Sequence, residues 1–359
     1  MSELVDRPIV IVGCARSGTT LLQAMVHSHP RLAMPPENRF VMPVYRRRAE
    51  FGDLREPANR DAVADLVTGR RTKFRDLGLD ADAVRERMHE VPPTVGSLLG
   101  AVLEMYARRF DRQRWGDKRP NYIQSLDVVL ELFPDAQIVH MIRDGRDCVA
   151  SLKQMPWWTF GYPASVYKWA HAIDTGLRAR SELRADQYHE VRYEDLVADP
   201  VAELSALCAF LGEDFDEAML EHHRAAEEKV PDYKDWHQQV HRPVNRGAVQ
   251  RWERDLEPDE VRLFEWVAGE QLEAMGYERA LRGWSRRPPR ALRSAYQTFF
   301  DGRRAREAAE DERAAEVARS YDQPVAAMLT TQQRRLAREQ GHGGLLDEAA
   351  DSPVRSDAR

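Results

Sequence analysis

Cysteine is scarce in this chain of 359 residues. Cys14, Cys148 and Cys208 form no C-x-x-C pair and are too few for a disulfide framework, so a reducing cytoplasm is the expected compartment. Long apolar runs are lacking as well. No stretch approaches the ~18 consecutive apolar residues that a membrane helix requires, and Met1 to Pro8 carries acidic residues and no cleavable apolar segment. A soluble, unexported protein is expected. Basic charge is not in excess: 53 Lys and Arg stand against 59 Asp and Glu, a formal net charge of −6, which argues against a nucleic-acid partner. The eleven histidines carry no metal motif. His237 and His241 stand four apart, but Gln238 replaces the glutamate of H-E-x-x-H and no third ligand is evident, so no metal site is expected. Repeats at solenoid periods are absent.

What is there supports one large α/β domain with an appendage. Hydrophobic residues make up 43% of the chain and charged residues 31%, enough for an ordinary core and too apolar for wholesale disorder. Pro8 to Val12 is a short apolar run ending at Gly13, the pattern of a strand buried on both faces in a parallel sheet. Leu21, Leu22, Met25 and Val26 then recur at helical spacing until His29-Pro30, where proline forbids continuation. Residues 46 to 112 read as a helical excursion. A second unit follows, with a helix around Ser125 to Leu132, a strand at Gln137 to Ile142 and a helix opening near Gly145. A long helix at about Ser165 to Leu183, a strand at Glu190 to Tyr193 and a helix from Pro200 to Leu211 complete the alternation, which implies a parallel sheet flanked by helices.

Composition shifts beyond residue 282, giving a domain over 1–282 and a charged helical extension and tail over 283–359. Arg286, Arg287, Arg290, Arg293, Arg303, Arg304 and Arg306 stand against one acid, Asp301, and interleave with Trp284, Tyr296, Phe299 and Phe300. Two readings follow: a helix docked by its aromatics with Arg facing water, or a peripheral contact with an anionic membrane or partner.

The turn Gly13-Cys14-Ala15-Arg16-Ser17-Gly18-Thr19-Thr20 joins the first strand to the first helix. The backbone N–H groups of Ser17 to Thr20 are expected to converge, with the positive helix end, on an anion. The pattern is close to a Walker A loop, but Thr19 occupies the lysine position and the nearest cation, Arg16, lies inside the loop. A second segment, Ile138 to Ser151, places Arg143 at a strand's carboxyl end and Ser151 eight residues on, a guanidinium and a hydroxyl suited to a phosphate dianion.

Arg16-Ser17-Gly18-Thr19-Thr20 resembles the 5′-phosphosulfate loop of sulfotransferases that use 3′-phosphoadenosine 5′-phosphosulfate (PAPS), and Arg143 with Ser151 resembles their 3′-phosphate segment. Further matches, among them His29-Pro30, Leu132-Phe133-Pro134-Asp135-Ala136, Tyr193-Glu194-Asp195-Leu196 and Pro243-Val244-Asn245, are similar to the tyrosylprotein sulfotransferase branch and its bacterial relatives. The resemblance implies PAPS as co-substrate without a metal and Arg16 on the leaving-group side. It also implies a catalytic role for Lys118 in Trp115-Gly116-Asp117-Lys118-Arg119-Pro120, and Glu37, 21 residues after Arg16, as general base. Burial is expected to raise the Glu37 pKa, with Arg39 and Lys118 opposing that shift. Tyr193 and Arg242 are expected beside the nucleotide, and Trp157, Trp158 and Trp169 either line an acceptor pocket or pack. Pro43 stands where that branch has a second arginine, so carbohydrate, lipid, small phenol and peptide tyrosine all stand as acceptor classes. The rival readings are a P-loop kinase or NTPase and a non-catalytic sulfonucleotide-binding scaffold.

Overall fold

A computed structural model of the protein describes residues 7–222, 246–281 and 287–328. Its centre is a five-stranded, wholly parallel sheet in the order β2-β3-β1-β4-β5. The strands are β1 (Ile9–Gly13), β2 (Leu32–Ala33), β3 (Arg114–Lys118), β4 (Gln137–Ile142) and β5 (Tyr188–Arg192). Ile9, Ile11 and Val12 are fully buried in β1, as the uninterrupted apolar run predicts for the middle of a parallel sheet. Register aligns Ile11 with Lys118 and Gly13 with Met141, and Ile142 with Arg192, so the carboxyl ends of four strands open on one edge.

Helices cover both faces. α1 (Thr19–Ser28) follows β1 and ends before Pro30. The excursion between β2 and β3 is helical, comprising α2 (Val41–Arg46), α3 (Pro57–Thr68), α4 (Ala81–Glu90) and α5 (Val95–Arg109). Leu98, Leu99 and Val102 of α5 are fully buried in the larger core cluster. α6 (Leu126–Leu132), α7 (Gly145–Lys153), α8 (Gly161–Glu182), α9 (Tyr193–Ala198) and α10 (Pro200–Leu211) complete the alternation. The expected α/β fold is borne out, with α8 beginning four residues earlier and β5 two residues earlier than the sequence pattern suggests.

β3 was missing from that pattern, because Arg-Trp-Gly-Asp-Lys has no apolar alternation. Long-range partners hold it instead. Buried Arg114 donates to the carbonyls of Leu211 (2.7 Å) and Arg7, and Gly116 is required because a Cβ there would meet Met34 Sδ at 2.3 Å and Ile9 O at 2.5 Å.

The Arg290–Ser320 helix lies against α8 and the Pro258–Ala274 helix. Phe299 and Phe300 meet Tyr167 edge-on at 5.7 and 5.9 Å, and Tyr296 meets Trp266 at 6.3 Å, while Arg287, Arg290, Arg304 and Arg306 are exposed. Tyr296, Phe299 and Phe300 are therefore spent on docking. Tyr321 to Met328 then strap the excursion: Val325 O accepts from Gly96 N and Ala327 N donates to Leu132 O, both at 2.8 Å. Trp284, Arg286, His237, His241 and Arg242 lie outside the described residues. No helix of the described residues is long and apolar enough to cross a membrane.

Candidate active site

The described site residues read from the sequence sit at, or just beyond, the carboxyl ends of the sheet, save Ser151, which lies farther along α7. Residues 14–18 follow β1, Glu37 follows β2, Lys118 ends β3, Arg143 follows β4 and Tyr193 follows β5. The chain leaves β1 towards β2 on one side while β4 and β5 lie on the other, a topological switch at which parallel sheets open a crevice.

The turn after β1 has the backbone of an anion nest. Arg16 adopts φ 73° and Gly18 φ 102°, and Gly18 stands before α1 as an N-cap without a side-chain cap, leaving the helix N-terminus to an external acceptor. Gly18 is also required by space, since a Cβ would meet the Tyr193 ring at 2.5 Å. One of the four N–H groups expected to converge is used inside the turn: Ser17 N donates to Cys14 O at 3.2 Å, as does Ser17 Oγ at 2.8 Å. The turn closes on itself through Ser17 and offers Gly18 to Thr20 at the helix end.

Arg143 and Ser151 come to this turn from α7 and the end of β4. Arg16 Nε donates to Ser151 Oγ at 3.0 Å, and Arg143 donates to Arg16 O at 2.9 Å and to Ala248 O. The Arg143 guanidinium lies 4.6 Å from the Tyr193 ring centroid, and its backbone carbonyl accepts from Trp169 Nε1 at 3.0 Å. Trp169 is thus packing, wedged against Gly145, whereas Trp157 is exposed. Burial, and next the charge of Arg143, lowers the Arg16 pKa; Arg251 acts in the same direction. An anion at the nest would offset that effect on Arg16, and the residues present fit a nucleotide carrying phosphates at both ends.

The surrounding Asp144-Gly145-Arg146-Asp147 is buried architecture. Asp144 caps α7 and pairs with Arg146 at 2.7 Å, Arg146 pairs with buried Glu265 at 3.0 Å, and Asp147 accepts from the backbone of Gln250 and Trp252 at 2.9 Å. These bonds bring residues 248–252 against the turn, which is how Arg251, unremarked in the sequence, reaches the site.

The second half of the site faces the same turn. Lys118, 2% exposed, places Nζ 3.4 Å from Thr20 Oγ1 and 3.4 Å from Glu37 Oε2. The expected rise of the Glu37 pKa does not occur. Burial pushes the carboxyl up, but Lys118, Lys73 and Arg119 outweigh it and hold the group below its ordinary value. Arg39, expected among the opposing charges, is exposed, and Lys73 from the excursion takes that part. Three residues missed in the sequence hold this half together. Asp117 Oδ1 accepts from Asn38 Nδ2 and Lys118 N, each at 2.8 Å, and its Oδ2 accepts from Tyr122 Oη at 2.9 Å. No spacing signal announces them, since 79 residues separate Asn38 from Asp117.

Residues 8–217, more than half of the chain, match the model of the family described as Sulfotransferase family. The chain belongs to the sulfotransferase family. Among curated relatives, the protein-tyrosine sulfotransferase of Drosophila melanogaster is 25% identical over 287 residues, covering 76% of this chain and 52% of that protein. Protein-tyrosine sulfotransferase 1 of Danio rerio is 26% identical over 76% of this chain and 73% of its own length. The chain therefore spans about half the length of the first relative and nearly three-quarters of the second. Among solved structures, the sulfotransferase domain from the Synechococcus PCC 7002 olefin synthase matches with a TM-score of 0.54 at 24% identity, covering 77% of this chain and 98% of that one. That likeness establishes the fold. Family membership also sets aside the kinase reading, in line with Thr19 at the Walker lysine position.

Proposed function

We propose that the protein transfers the sulfuryl group of PAPS to an acceptor hydroxyl, releasing 3′-phosphoadenosine 5′-phosphate (PAP). Bound at the nest, PAPS supplies the activated sulfur and the phosphate leaving group. The remaining work falls to this chain's residues. Gly18, Thr19 and Thr20, in the turn that Ser17 closes, hold the 5′-phosphate end, and Arg143, Ser151 and Tyr193, joined by Arg242, hold the 3′-phosphate end. Glu37, ionised at neutral pH, takes the acceptor's proton as the acceptor oxygen bonds to sulfur and the sulfur–oxygen bond to the phosphate breaks. Arg16 and Lys118 stabilise the negative charge left on that phosphate oxygen. Residues 1–282 form the transferase domain and 283–359 its extension.

The observation that carries this reading is the 3.4 Å approach of Lys118 Nζ to both Thr20 and Glu37, because it joins an anion nest and a carboxylate into one site. The relatives' names make a peptide tyrosine the first acceptor to test. Calorimetric titration is expected to show PAP binding that is unchanged by EDTA and stronger than that of ATP with Mg²⁺. Radiolabelled PAPS is expected to label an acceptor from a panel of tyrosine peptides, small phenols, glycans and lipids. Binding of ATP·Mg²⁺ without PAP would overturn the proposal, and PAP binding with no transfer to any acceptor would support the non-catalytic scaffold.

A further inference from the structure

The base Glu37 and the lysine it faces come from segments 81 residues apart, and their reacting atoms meet at 3.4 Å. Buried Asp117 is the common anchor. It directly precedes Lys118, accepts from that residue's own N–H, and reaches across to Asn38, which directly follows Glu37. Asn38 is 1% and Asp117 3% exposed. Tyr122 Oη, 2.9 Å from Oδ2, fixes the carboxylate from the other side. A second stitch runs parallel, with Arg119 donating to Asn38 O at 3.0 Å, and Gln23 of α1 donates to Pro35 O. All three side-chain or backbone groups meeting Asp117 are donors, so the site asks for an acceptor-only side chain, as a carboxylate is.

We propose that Asp117 and Asn38 are positioning residues that set the distance between Glu37 and Lys118 at the sulfuryl-transfer site. This rests on the reading of Glu37 as base. The physical basis is the steepness of such geometry: a displacement of about 1 Å in a reacting group costs up to about 10²-fold in rate. Burial alone would allow an apolar residue at 117; the bonds to both sides of the base–lysine pair are what make the carboxylate specific.

The experiment uses the full chain and two readouts. The first is the Glu37 pKa by ¹³C NMR of carboxyl-labelled glutamate, assigned with Glu37→Gln, which needs no turnover. The second is single-turnover transfer from PAPS to a confirmed acceptor, with PAP affinity as control. Asn38→Ala is expected to release Glu37 from Lys118 and Arg119, moving its pKa up towards the ordinary carboxylate value, and to slow transfer by about 10- to 100-fold with PAP affinity within twofold. Asn38→Asp, which sets two carboxylates 2.8 Å apart, is expected to do the same. An unmoved Glu37 pKa in Asn38→Ala, or wild-type single-turnover transfer in both Asn38→Ala and Asn38→Asp, overturns the proposal. Loss of transfer in Asn38→Ala with unchanged transfer in Glu37→Gln instead overturns Glu37 as base.

Discussion

The two halves of the site are built differently. The nucleotide half is built from two motifs, each continuous in sequence: a strand, a glycine turn and a helix, and, 127 residues on from Arg16, a strand-end arginine with a hydroxyl on the helix that follows it. Local backbone geometry shapes each motif, with φ above zero at Arg16 and Gly18, and the register of β1 against β4 sets the two side by side. The acceptor half is assembled from separate segments, with Glu37 after β2, Lys118 at the end of β3 and Lys73 in the excursion, and long-range side-chain bonds hold it. A local motif tolerates a changed neighbourhood because its own hydrogen bonds define it. A discontinuous one depends on each tether. The comparison teaches that the two halves should fail separately, and each of the following tests asks whether they do.

The largest separation is expected from Glu37→Gln. Transfer to a confirmed acceptor should fall by roughly 10²–10⁴-fold while PAP affinity stays near wild type. Equal loss of rate and PAP affinity would show that the halves act as one. The converse variant is Arg143→Ala, which removes a charge-assisted contact at the nucleotide end and the bonds to Arg16 O and Ala248 O. Calorimetry should show PAP binding weakened by about 10- to 100-fold, following the ~1.5–3 kcal/mol of a hydrogen bond to a charged group. Unchanged PAP affinity would move the 3′-phosphate elsewhere.

The pH dependence sharpens the same division. Lys118, Lys73 and Arg119 overcome the effect of burial and lower the Glu37 pKa, so the base stays ionised down to mildly acidic pH. Transfer should be flat from neutrality through pH 5 and decline only as pH falls through a value below the ordinary glutamate pKa of about 4.3. By linkage, the stabilisation from this depressed pKa is present above the unfolded-state pKa and is lost as pH falls through the folded one. An acid limb near pH 6 or 7 in single-turnover rates would assign the proton transfer to another group.

The smallest effect is expected far from both halves. Phe299→Ala with Phe300→Ala strips the aromatic contacts that seat the Arg290–Ser320 helix on Tyr167. Both rings are only half-buried, so a loss of a few degrees in Tm is expected by thermal unfolding, with PAP affinity unaltered. Reduced PAP affinity would tie the extension to the nucleotide half.

The sequence read well where its signals are local. The apolar run of β1, the proline that ends α1, the boundaries of β4 and the start of α7, and the arginine and serine eight apart all rest on residues close in the chain. It was silent on β3, whose polar residues are justified only by Arg7, Leu211 and Met34 arriving from elsewhere. Glu37 was found through a family spacing, but its electrostatics were misjudged because Lys73, which joins Lys118 in outweighing burial, lies 36 positions on and reaches it only through the folding of the excursion. Trp169 shows the same limit: an indole near a binding motif reads as pocket or packing, and the contact with Gly145 decides for packing.

By itself, then, the chain's order of residues determined that a turn with the backbone of an anion nest would form at the head of the first helix, since glycine conformations and an uncapped helix end need no distant partner. Only the tertiary structure decided how the base is held and charged. Asn38 and Asp117 are unremarkable until β2 and β3 lie side by side, and a carboxylate's pKa is set by whatever charges the fold brings within a few ångströms of it.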